Sequence, residues 1–314
     1  MLSWLKTHPF AVEAFFEHSL VLTFAAPLAE IQALLPAPLV ADTFDGRWGF
    51  VAVALVQTRH LRPKGFPQWL GQDFYLIGYR AFVRYPSPTG KRLRGLYILR
   101  SETDKTRMSV LGNVFTHYRY QTTDIAREET AGRFAVHSRQ SDFAVALVAP
   151  GPEVSLPAQS PFATWHEARR FAGPLPFTFS ADAGSSRMLI VEGVREHWEP
   201  QPVAVLNYRV GFFDRYHFSS LVLANAFALR NVPYSWKKDA PKYGTAKKTA
   251  PGPEECRLLQ LALLPPCLGL CAEPGNALDK RPAGHSKLRR PVAWAGAGPG
   301  AELPGRFGLR VRFF

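Results

Sequence analysis

The chain has 314 residues, 46% of them apolar and 13% aromatic, enough to fill a packed core, which excludes global disorder. Its formal charge of +13 is unevenly spread: residues 237–314 carry 14 Lys/Arg against 6 Asp/Glu, while the part up to Trp236 carries 24 against 19. A net of only +5 on the larger part argues against a phosphate-tracking surface, so no nucleic-acid partner is expected.

All three cysteines (Cys256, Cys267, Cys271) lie late in the chain, which excludes a disulfide framework for everything before them. Cys267-Leu-Gly-Leu-Cys271 has only Cys256 and His285 nearby to complete a four-ligand site, so no metal is expected, nor any cofactor. The longest apolar stretches, Leu20–Leu28 and Trp48–Val56, fall well short of the roughly 20 residues that span a bilayer. The first residues lack a secretory pattern. The expectation is a cytoplasmic protein without a membrane partner, its oligomeric state open.

In chain order, Ser19–Phe24 reads as a strand and Pro27–Pro36 as a short helix with Leu28, Ile31, Leu34 and Leu35 on one stripe. Thr43–Gly46 reads as a turn and Trp48–Val56 as a buried strand. The Pro/Gly-rich, basic stretch Arg59–Gln72 reads as a long loop. Phe74–Tyr85 alternates: Tyr75, Ile77, Tyr79, Ala81, Val83 and Tyr85 point one way, and Leu76, Gly78, Arg80, Phe82 and Arg84 the other. Pro86–Gly90 is a hairpin turn, and Arg94–Ser101 the returning strand.

Thr103–Val114 then reads as a helix and Thr116–Thr122 as a strand. Gly132–Arg139 and Ala144–Val148 form a hairpin pair, and Trp165–Phe171 a short polar helix. Phe177–Ser180, Arg187–Val194 and Val203–Val210 continue the strand series, and Phe218–Leu229 is a helix or a strand. Many short strands with close turns imply a mainly β fold, a curved antiparallel sheet or barrel with a few short helices. From Lys237 onward, ten Pro and ten Gly in 78 residues and the loss of alternation mark a separate segment, either a flexible tail or translation out of frame. The domain is therefore expected to be residues 1–236.

Familiar catalytic signatures are missing: no Gly-x-Ser-x-Gly elbow, Walker loop, dinucleotide glycine fingerprint or His-Glu-x-x-His occurs. Arg80, on an apolar strand between Gly78 and Phe82, either lies along the sheet with its head in water or faces a barrel interior and holds a carboxylate. Arg100 and Glu102 end the next strand on one face, as an ion pair or as part of a site. His117, among the aromatics of Phe115-Thr-His-Tyr-Arg-Tyr120, is a structural histidine or the best acid/base candidate, with Tyr118 and Arg119 beside it.

Several segments resemble the domain-of-unknown-function family 2071, within the acetoacetate decarboxylase-like superfamily. They are Glu17-His-Ser-Leu-Val-Leu, Leu34-Leu-Pro-Ala-Pro-Leu39, Asp42-Thr-Phe-Asp-Gly46, Gly78-Tyr-Arg80-Ala-Phe-Val83, Met108–Tyr120, Glu196-His-Trp-Glu-Pro200 and Asn231-Val-Pro-Tyr-Ser-Trp236. The resemblance spans residues 12–238 and implies a cone-shaped antiparallel barrel (α+β in its details) with an enclosed pocket. Decarboxylases of that superfamily form a Schiff base through a lysine of lowered pKa. The matching positions fall near His117, Tyr118 and Arg119, and no lysine occurs between Lys105 and Lys237. The position of the superfamily's substrate-facing arginine falls on Glu17. Two functions remain: a binding barrel for a small anionic or amphipathic molecule anchored by Arg80, or a lyase or hydrolase acting on a small carbonyl or carboxylic acid. In the second, His117 is the acid/base, with Arg80 and Arg119 holding the anion.

Overall fold

In the computed structural model, residues 6, 8–87, 90–130, 132–148, 154–173, 175–181, 188–196 and 198–238 are described. Contacts divide the chain into Met1–Ala250 and Pro251–Phe314, the second unit lying wholly outside the described residues. The expected tail from residue 239 onward, the role of His197 and the centre of the Pro86–Gly90 turn also lie outside them.

Fifteen strands and three α-helices make up the described part. They are β1 (Val12–Pro27), α1 (Leu28–Ala33), β2 (Val40–Ala41), β3 (Thr43–Phe44), β4 (Trp48–Pro63), β5 (Gln72–Pro86), β6 (Arg92–Thr103), α2 (Thr106–Phe115), β7 (Tyr120–Thr122), β8 (Ala126–Thr130) and β9 (Arg133–Ser138). Then follow β10 (Phe143–Val148), α3 (Trp165–Phe171), β11 (Phe177–Ala181), β12 (Met188–Arg195), β13 (Gln201–Pro202), β14 (Ala204–Val210) and β15 (Val222–Trp236). The fold is mainly β. Among the described residues no helix is long and apolar enough to cross a membrane.

Hydrogen bonding runs β5-β4-β1-β15-β12-β11-β6, and a further β5–β6 pairing closes the path into a ring of seven strands. Only the β6–β11 pairing within that ring is parallel. Closure removes the unpaired edges that a strand series of this length would otherwise expose. A separate four-stranded sheet, β14-β10-β9-β8, is a second layer that a single barrel did not lead us to expect. Its Val136, Phe143, Val145 and Leu147 pack with the outward face of the ring, where Tyr75, Ile77, Tyr79 and Val83 are buried. Phe212 and Phe213, from the 3₁₀ turn Gly211–Tyr216, join them, and Phe212 stacks on Tyr79 at 4.1 Å between ring centroids.

The alternation of Phe74–Tyr85 therefore holds as read, with the tyrosine face directed outward and the Gly78/Arg80 face directed into the ring. Other expectations need correction. Arg59–Gln72 is not one long loop: β4 continues to Pro63 because its end pairs with the start of β1, with Arg62 opposite Glu13 and Pro63 opposite Val12. Long-range pairing there overrides a composition rich in Pro, Gly and charge. β1 begins seven residues earlier than expected for the same reason. The strand after α2 is only Tyr120–Thr122, since Arg119 takes a left-handed backbone with φ of 54°. The final element is a strand, paired along most of its length with β1.

One end of the ring is filled by aromatic rings. Phe50 stacks on Phe162 at 5.5 Å and meets Phe171 at 4.8 Å, and Phe82 packs in the same cluster with Ala25, Ala52 and Ala224. At the other end, α2 is tied to the sheet by Asn113, which donates to the Tyr120 carbonyl (2.8 Å) and accepts from its N–H (2.9 Å). Gly112 makes that approach possible: a Cβ on it would lie 2.3 Å from the Tyr120 ring.

Candidate functional site

Inside the ring lies a cavity of about 510 Å³, walled by inward residues of β1, β4, β5, β6, β11, β12 and β15 and by α2. Ala52, Ala54 and Gly78 keep the lumen open where larger inward residues would close it, while Phe16, Phe74, Leu76 and Phe227 make its wall apolar. Three arginines line this cavity, Arg62 near the end of β4, which pairs with Glu13 at 2.7 Å, Arg80 from β5 and Arg195 from the end of β12, together with the tyrosines Tyr118, Tyr120 and Tyr234.

Arg80 carries an unsatisfied donor in the lumen. Its Nε is buried without a hydrogen-bond partner, and among the described residues it forms no ion pair. No Asp or Glu of the described residues lines the cavity. The guanidinium sits over Gly78, where a Cβ would meet Nε at 3.2 Å and Nη2 at 3.3 Å. Burial lowers its proton affinity, and Arg195 lowers it further, whereas the oxygens of Tyr234, Tyr120 and Tyr118 act in the opposite direction. An arginine stays charged even so, because its intrinsic pKa is too high for burial to neutralise it.

Arg195 is held from two sides. Its Nη2 donates to the Leu175 carbonyl at 3.2 Å and to the Tyr234 hydroxyl at 3.4 Å, and the group lies over the Trp198 ring at 4.6 Å. Its Nε, like that of Arg80, is buried without a partner. Gly193 creates the space for Tyr234, since a Cβ there would stand 2.0 Å from the tyrosine oxygen. Burial also pushes the Tyr120 hydroxyl up to about 12, so it is a neutral donor at physiological pH.

The residues expected to act together divide between two faces of the sheet. Arg80 and Tyr118 line the cavity. Arg100 and Glu102 face outward: Glu102 is fully buried, its Oε2 accepts from the Tyr79 hydroxyl at 3.1 Å, and its Oε1 lies 2.9 Å from Arg100. Burial raises the Glu102 carboxyl, and Arg100 draws it back. Arg119 donates to the Leu99 carbonyl at 3.5 Å and does not line the cavity; His117 does not line it either, although Thr116 and Tyr118 on each side do. Arg195, Tyr234 and Tyr120 were not singled out from the sequence. The available signal was the pair Gly78-Tyr-Arg80 and Gly193-Val-Arg195, each with a glycine two residues before an inward arginine.

The sequence of residues 13–235 matches the family DUF2071, described as an uncharacterized conserved protein. The chain belongs to the DUF2071 family. No curated protein matches it. Solved structures similar to this DUF2071 chain include the acetoacetate decarboxylase of Legionella pneumophila subsp. pneumophila str. Philadelphia 1, at 9% identity, TM-score 0.48, covering 77% of this chain and 90% of that one. The enduracididine biosynthesis enzyme MppR, complexed with pyruvate, is 10% identical with a TM-score of 0.44, over 76% and 90%. An acetoacetate decarboxylase-like enzyme from Sphingomonas wittichii RW1 is 12% identical with a TM-score of 0.43, over 75% and 94%. With TM-scores under 0.5, these likenesses decide nothing about the chemistry of this DUF2071 protein. Among its described residues no three His, Cys, Asp or Glu side chains cluster as metal ligands, and no lysine lines the cavity.

Proposed function

We propose that the lumen binds a small amphipathic carboxylate, with Arg80 as the anchor for its charge and the apolar wall as the seat for its body. The observation that carries this reading is the half-buried guanidinium of Arg80, its Nε fully covered, set in an apolar cavity without an anion among the described residues. Partial desolvation of an unpaired charge is unfavourable, and a bound carboxylate offsets it through charge-assisted hydrogen bonds. Arg195 and the hydroxyls of Tyr120 and Tyr234 supply further polar groups on the same cavity. The volume of about 510 Å³ suits a ligand of drug or short-lipid size.

The test is a calorimetric comparison of decanoate with decanol. The reading expects decanoate to bind and decanol, which keeps the tail and lacks the charge, to bind at least about tenfold more weakly. Equal affinity would remove Arg80 from the account. Schiff-base chemistry has no support, because no lysine of the described residues reaches the lumen. An acid/base role for His117 has none either, since that residue does not line it.

A further inference from the structure

The loop between β4 and β5 carries three large apolar side chains outward in five positions. Trp69 is 80% exposed, Phe66 53% and Leu70 47%, more than any other cluster of neighbouring hydrophobic residues among those described. Single exposed apolar residues need no explanation, but three on one loop tip do. The tip is also held in shape. Arg62 Nε donates to the Phe66 carbonyl at 2.8 Å, and turn bonds link Phe66 to Pro63 (3.1 Å), Leu70 to Pro67 (3.1 Å) and Gly71 to Gln68 (2.9 Å). Gly71 folds the loop back onto β4, since a Cβ there would lie 2.6 Å from the His60 backbone. The loop backbone is thus tied to its flanking strands while the three side chains stay exposed.

That place is the rim of the cavity. Pro63 and Gln72, which flank the loop, line the lumen, as do Val12 and Trp236 at the neighbouring strand ends. The opposite end of the ring carries the plug of Phe50, Phe82, Phe162 and Phe171.

We infer that this loop docks the protein on an anionic lipid surface, inserting Trp69, Phe66 and Leu70 into the interface beside the mouth of the lumen. Charge and area select this occupant. Arg59 and Arg62 are paired with Glu17, Asp73 and Glu13 on the flanking strands, whereas Lys64 on the loop itself forms no ion pair among the described residues and is its uncompensated cation. Tryptophan and phenylalanine beside a basic residue suit the headgroup region of a membrane. A second protein surface is disfavoured, because a stable interface needs about 800 Å² on each partner and three partly exposed side chains offer much less. The absence of a long apolar span bears on crossing a bilayer and leaves surface docking open. The inference extends the binding reading by naming where an amphipathic ligand is collected, while the docking itself rests on the loop alone.

The experiment is co-sedimentation of the full chain with phosphatidylcholine vesicles containing about one-third phosphatidylglycerol, alongside vesicles of phosphatidylcholine only. The wild type sediments with the anionic vesicles, more than with the neutral ones, and Phe66→Ser/Trp69→Ser lowers the partition by at least about tenfold at unchanged melting temperature. The decanoate titration of the same variant reads the lumen separately, so loss of ligand binding and loss of docking are told apart. Absence of vesicle binding by the wild type overturns the inference. So does undiminished binding by the variant, or a concentration-dependent dimer that the double substitution abolishes.

Discussion

The guanidinium of Arg80 rests on the bare Cα of Gly78, at a separation that would leave an added Cβ 3.2 Å from Nε. The two residues share one face of β5, and the absence of a side chain at 78 lets the charged group lie flat against the barrel wall. Gly78→Val should therefore act on the site as well as on stability. We expect an overpacking cost of about 1–3 kcal/mol in urea denaturation and weaker decanoate binding, because the guanidinium is pushed from its place. A stability loss with unchanged ligand affinity would mean that Arg80 does not hold the ligand from this position.

His18 gives the fold a pH dependence. It lies between the rings of Tyr75 (5.7 Å) and Phe134 (5.1 Å), and burial lowers its pKa from 6.5 to about 4. Between those values the unfolded chain binds the proton and the folded chain does not, so stability is full above 6.5 and falls as pH drops toward 4. Glu102, raised by burial, has the opposite sign just above its ordinary 4.5. The measurement is the melting temperature of the wild type and His18→Phe across this range. The gap between them should change in favour of the variant as pH falls, and a constant gap would remove His18 from the acid response.

Asp42, fully buried, anchors the start of the domain to β5 and β6. Arg84 reaches its Oδ1 at 2.5 Å and Arg94 bonds its Oδ2, while Arg94 also lies over the Phe171 ring at 4.5 Å. Asp42→Ala leaves two arginines without their shared carboxylate and should cost about 3–5 kcal/mol in chemical denaturation. Arg84→Ala removes a more exposed partner and should cost less. The reverse order would show that the carboxylate is not the hub.

Tyr79→Phe separates the two faces of the sheet. It deprives the buried Glu102 of its 3.1 Å donor and should destabilise the fold by about 1–3 kcal/mol. Decanoate affinity should be unchanged, since Tyr79 and Glu102 face away from the lumen. A loss of affinity comparable to that of an Arg80 variant would place the binding site on the outer face.

The strand alternation of Phe74–Tyr85 made one face of the barrel wall legible before any coordinates, and with it the direction of Arg80. The helices Leu28–Ala33, Thr106–Phe115 and Trp165–Phe171 follow from local stripes and turn residues, which act over a few positions. What escaped is set by distant pairing. The extension of β4 through Arg59–Pro63 depends on β1, and no local pattern announces it. Arg195 joins Arg80 only because ring closure brings β12 beside β15 and around to β5. The grouping of Arg100 and Glu102 with Arg80 failed for a related reason. The β5–β6 register shifts at Tyr79/Arg80, so counting alternation along β6 misassigns the inward face beyond Ile98.

The central claim is that Arg80 is a half-buried cation on an apolar wall that takes an anionic ligand, and Arg80→Met tests it in one paired thermal-unfolding experiment. Methionine keeps much of the packing volume and removes the charge. The variant without ligand should melt at or above the wild-type temperature, because an unpaired charge held against an apolar wall is gone, and decanoate should no longer raise its melting temperature. A variant that melts lower and still gains the full decanoate shift would contradict it.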